Sequence, residues 1–153
     1  MIKALLSFLG RTTSGLYDFE SLAIEEVITH LGNAGPQVRR QIEVVNRVQR
    51  IAGGKEVDLY CMRAGKVAFD DRLRFPGIDE ARLATVILHE GTPGRHKLKL
   101  ELWLANGRLF SLIYDRPPQE FFGASRLRDV RPSIADVRIE TDPLQIGGPR
   151  VRS

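Results

Sequence analysis

The chain has 153 residues, 42% of them hydrophobic and 27% charged. Those proportions exclude wholesale disorder, collagen and coiled coil, and they suit one domain with a real core. Lys and Arg outnumber Asp and Glu by 23 to 19, a net +4 that falls short of the broad positive field of a nucleic-acid binder.

Met1–Gly10 places a single Lys3 before a short apolar run broken by Ser7. A signal peptide needs a longer apolar stretch and a small-residue cleavage site, so the expectation is a short element docked on the core. No apolar run approaches the roughly 18 residues of a membrane span. The lone Cys61 cannot close an intramolecular disulfide and fits a reducing compartment. Cytoplasmic placement is the default expectation.

Residues 18–31 read as a helix, with Asp18 as N-cap and Phe19, Leu22, Ala23, Val27 and Leu31 at helical spacing. Gly32-Asn33 supplies a stop. Pro36 suits the first turn of a second helix, predicted over 36–52 from Val38, Ile42, Val45, Val48 and Ala52 and ended by Gly53-Gly54. The β-branched residues of that stretch lower its helix propensity.

From residue 55 the period changes to two. Val57, Leu59 and Cys61 alternate with Asp58, Tyr60 and Met62, and Ala64-Gly65 turns the chain. The run 83–88 reads as a strand covered on both faces. Leu98, Leu100, Leu102 and Leu104 alternate with Lys99, Glu101 and Trp103 and lead into Asn106-Gly107, a type I′ hairpin signal. The segment 109–114 is the returning strand, Pro117-Pro118 stops it, Phe121-Phe122 pack back on the domain, and 134–141 forms a further strand. The fold expectation is α+β: two N-terminal helices on one face of a mainly antiparallel sheet, a meander with its hairpin at Asn106-Gly107. Residues 1–145 form one domain, with a frayed tail at 146–153.

Catalytic motifs fail in turn. His89-Glu90 opens like a zinc-protease motif, but Pro93 stands where the second histidine belongs. Gly10-Arg-Thr-Thr-Ser-Gly15 lacks the Lys and Ser/Thr of a P-loop, and the segment around Ser125 lacks the second glycine of a nucleophile elbow. His30, His89, His96 and Cys61 show no metal-ligand spacing. No metal and no cofactor are expected. The adjacent acids Asp70-Asp71 and Asp79-Glu80 read as solvated loop.

Two surface features remain. Arg40, Glu43, Arg47 and Arg50 fall at spacings of 3, 4 and 3, one stripe of the predicted second helix with a Glu43–Arg47 pair inside it. Trp103 sits among Lys97, Lys99 and Glu101 on the outer side of the hairpin, where an aromatic suits an interface. The reading favoured by these residues is a non-catalytic binding or interaction protein whose partner is another protein or a second copy, through Arg40, Arg47, Arg50 and Trp103. An alternative is a ligand-binding or enzymatic domain with a pocket between helices and sheet, using His89, Glu90, Tyr60 and Asp70, with His89 as general base. A third is nucleic-acid binding through Arg39, Arg40, Arg47 and Arg50.

Overall fold

The computed structural model describes residues 15–90 and 96–146. The expected N-terminal docking segment, the turn at 91–94 and the tail beyond 146 lie outside the described residues.

Helix α1 spans Asp18–His30 and buries Phe19, Ala23, Ile24, Val27 and Ile28. Asp18 is not its cap. Tyr17 holds that position in extended conformation, and its N–H donates to the Glu20 carboxylate at 2.8 Å, so the acid of the first turn satisfies an orphan donor. Helix α2 spans Gly35–Glu43, with Val38 and Ile42 buried and proline in its first turn.

The second helix is therefore shorter than predicted. It ends at Glu43, and Arg47–Ile51 form strand β1 with exposure alternating residue by residue. The β-branched Val48 and Ile51 suit a pleated surface better than a helical turn. Gly53 and Gly54, at φ 67° and 91°, turn the chain into the next strand rather than stopping a helix.

The remaining elements are β2 (Glu56–Tyr60), a small hairpin β3 (Met62–Arg63) and β4 (Lys66–Val67), β5 (Glu80–His89), β6 (Lys97–Ala105), β7 (Arg108–Tyr114), α3 (Pro118–Phe122), β8 (Ser133–Ile139) and α4 (Pro143–Ile146). Six strands make one antiparallel sheet in the order β1-β2-β7-β6-β5-β8. The fold is α+β. β5, β6 and β7 form the expected meander, and Asn106 and Gly107 take φ 50° and 74° at its tip, as a type I′ turn requires.

Leu98, Leu100, Leu102 and Leu104 point inward with Val57, Leu59, Leu83, Val86, Leu88 and Leu112, all fully buried. α1 covers β5 and β8, and α2 covers β7. Phe122 joins this core, 5.0 Å centroid to centroid from Phe19. Gln41 ties α2 to the hairpin: its amide donates to the Leu73 and Gly107 carbonyls, and its oxygen accepts the Leu109 N–H at 2.9 Å. Gly107 is required there because a Cβ would lie 2.1 Å from the Phe75 carbonyl oxygen. At the other end of the core Glu20, fully buried, accepts from the Arg50 guanidinium at 2.6 and 3.0 Å and from the Tyr114 hydroxyl at 2.6 Å. Among the described residues no helix is long and apolar enough to cross a membrane.

Candidate functional site

Alternation that buries one face of a sheet leaves the other to solvent. Both long helices pack on the inner face, and the outer face carries no helix of comparable length among the described residues. The register fixes its layout. One cross-strand row runs Glu56, Ile113, Glu101, Thr85, Arg138, from β2 to β8 through β7, β6 and β5. The next row runs Gln49, Asp58, Ser111, Trp103, Arg82. Trp103, Ile113 and Ile87 are half-buried, flanked by longer polar neighbours.

The middle of this face is internally paired. Arg82 donates to Glu101 at 2.7 Å and reaches Glu140 at 3.7 Å, and the Trp103 indole N–H lies 3.3 Å from the other Glu101 oxygen. Ser111 donates its hydroxyl to Asp58 at 2.9 Å. The flanks are not paired. Glu56 has no cationic partner among the described residues, and partial burial beside Asp58 raises its carboxyl pKa above the ordinary 4.5. At the opposite flank Arg138 is exposed and carries no ion pair among the described residues.

The predicted arginine stripe is dismantled, because the helix it needed ends at Glu43. Arg40 stays on α2, exposed Arg47 and half-buried Arg50 move to β1, and no Glu43–Arg47 pair forms among the described contacts. Arg47 is exposed on the outer face beside Tyr60. Arg50 points inward to Glu20, with its guanidinium 3.8 Å over the Tyr17 ring. Arg39 is spent on Glu25, with a 2.9 Å hydrogen bond. Trp103 lies where expected, on the outer face.

The four candidates for a catalytic pocket do not converge. His89 ends β5 opposite Lys97 and Ser133, and its neighbour Glu90 pairs with Arg126. Tyr60 ends β2 at the other end of the sheet, edge-on to Phe110 at 5.3 Å. Asp70 caps the turn at 71–73, accepting the Arg72 N–H at 2.9 Å and pairing with the Arg72 guanidinium, which lowers its pKa. Between helices and sheet the core side chains are buried, none more than 8% exposed. Among the described residues no group of three or more His, Cys, Asp or Glu is placed to hold a metal ion.

Sequence reading passed over Glu56, Ile113 and Arg138. Their signal was present: alternation along β2 puts Glu56 and Asp58 on the face opposite Val57 and Leu59. Only the strand order, however, shows that β2 and β8 flank β6 symmetrically. Comparison of the chain with protein-family models, curated proteins and solved structures finds no match.

Proposed function

We propose that the chain is a non-catalytic interaction protein that works through the outer face of its sheet, with a second copy of itself as the partner. The observation that carries this reading is the charge layout of that face. β2 and β8 each stand two strands from β6, about 10 Å at the usual interstrand spacing. A two-fold axis along β6 therefore brings Glu56 of one copy over the partner's Arg138, and the reverse contact follows by symmetry. Ile113 meets the partner's Thr85, and Trp103 meets its own symmetry mate. An aromatic centre ringed by complementary charge is the arrangement that binding energy favours. The unpaired acid on one flank and the unpaired base on the other gain partners that neither has within one chain. A cytoplasmic setting fits the free thiol of Cys61.

Sedimentation velocity tests the reading. The expected species has twice the 17.2 kDa chain mass, and Trp103→Arg converts it to a monomer with unchanged far-UV circular dichroism. A wild-type chain that stays monomeric throughout the micromolar range contradicts it.

A further inference from the structure

β1 and β8 end the six-stranded sheet, so each has an edge without a neighbouring strand. β8 is the longer, seven residues against five. Which of its backbone groups face outward follows from one bond and the register. The Glu140 N–H donates to the Leu83 carbonyl at 2.8 Å, and pairing with β5 runs unbroken from Ile139 to Asp136. Alternation then turns the N–H and C=O groups of Arg138 and Asp136 toward β5, and those of Ile139 and Val137 away from it. No other backbone group among the described residues pairs with this outward row. Such a row is a template for another strand.

The side chains select the strand that fits. Asp136 and Arg138 stand on the outer face, opposite Ile87 and Thr85. Both are exposed, and neither has an ion pair among the described residues. Val137 and Ile139 lie on the inner side, packed against the core. Residues opposite one another in a sheet share a face, so a two-fold antiparallel pairing of β8 with itself is centred on a residue. Centred on Asp136 it sets acid against acid. Centred on Arg138 it sets base against base, and Asp136 against Glu140. Centred on Val137 it sets Asp136 against the partner's Arg138 twice, with Ile139 beside the partner's Ala135. The same register makes the two Val137 residues a hydrogen-bonded pair. It leaves Asp136 and Arg138 at non-hydrogen-bonded positions, where facing side chains stand closest.

We propose that the free edge of β8 pairs antiparallel with β8 of a second copy, centred on Val137, and joins two six-stranded sheets into one. This contact lies in the plane of the sheet and goes beyond the face-to-face contact, which it leaves accessible. Glu56 belongs only to the face, Asp136 only to the edge, and Arg138 borders both. One short ladder makes a small interface, and small interfaces are transient, so the edge contact operates above the micromolar range of the face contact. Trp103→Arg supplies a chain without the face contact. This variant is ¹⁵N-labelled and followed by NMR from about 10⁻⁵ to 10⁻³ M. The amide resonances of residues 135–139 are expected to shift with concentration, and hydrogen exchange at the Val137 and Ile139 amides to slow severalfold at the top of the range. Asp136 is exposed, so Asp136→Arg keeps the fold, sets base against base and is expected to weaken the association about tenfold. Adding Arg138→Asp restores opposite charges and is expected to return most of that loss. Resonances at 135–139 that do not move with concentration, shifts confined to other elements, or an association indifferent to Asp136→Arg overturn the proposal. Glu56→Arg in the same background separates the two contacts, since it breaks the face pairing and is expected to leave the edge association unchanged.

Discussion

Replacing Glu20 with alanine removes the acceptor on which three elements converge. In the folded chain its carboxylate takes the Arg50 guanidinium from β1, the Tyr114 hydroxyl from β7 and the Tyr17 N–H at the head of α1. Burial beside this carboxylate holds the Tyr114 hydroxyl well above the ordinary tyrosine pKa, so it remains a donor at every working pH. Glu20→Ala strands that hydroxyl, at about 1–3 kcal/mol for a buried unsatisfied group. It also leaves Arg50 without its acid, and removing one partner of a buried pair costs about 3–5 kcal/mol. The Arg50 side chain is 24% exposed, so water relieves part of that penalty, and the expected total is about 3–5 kcal/mol. Guanidinium unfolding followed by circular dichroism reads it as a lower midpoint at unchanged slope. The paired change Glu20→Leu with Arg50→Met removes both charges together and is expected to cost less than Glu20→Ala alone. A loss below about 1 kcal/mol for Glu20→Ala, or a double variant worse than the single one, refutes the reasoning.

Leu102→Ala opens a cavity under the meander and is expected to cost about 2–5 kcal/mol in the same assay. Gly107→Ala puts a methyl group against the Phe75 carbonyl at a positive φ, so its thermal midpoint is expected to fall by several degrees, and an unchanged midpoint contradicts the close approach. Self-association carries a pH signature. Glu56 has a raised pKa in the single chain, and a partner cation favours its ionised form, so association strengthens as pH rises from the ordinary carboxylate value through that raised pKa, then levels off. Glu56→Gln removes this dependence, and sedimentation at a series of pH values measures it.

The meander was legible because two independent signals agree on it. Leu98 to Leu104 alternate strictly, and Asn106-Gly107 tolerates the positive φ its turn demands. The stretch from Val44 to Ile51 was not, because Val45, Val48 and Ile51 recur at a spacing that fits a helical face, while their β-branching and the following glycines favour a strand. Tertiary pairing decided it: Val48 faces Leu59 across the β1–β2 hairpin, and Arg50 finds Glu20 thirty residues away. Arg108 shows the same limit: it is buried with its guanidinium 4.8 Å from the Phe69 centroid, and nothing local announces that Phe69 folds over it. Trp103 was placed correctly because its face follows from period alone, whereas its charged surroundings depend on strand order.

The pairing of Glu56 with the partner's Arg138 is tested most directly by reversing each charge and then both, with dimer dissociation constants measured by sedimentation equilibrium. Glu56→Arg and Arg138→Glu each set like charges face to face, and each is expected to weaken the dimer about tenfold or more. The double variant restores opposite charges at both symmetry-related contacts and is expected to return to near the wild-type constant. Two single variants that dimerise as tightly as wild type, or a double variant no tighter than either single one, contradict the account.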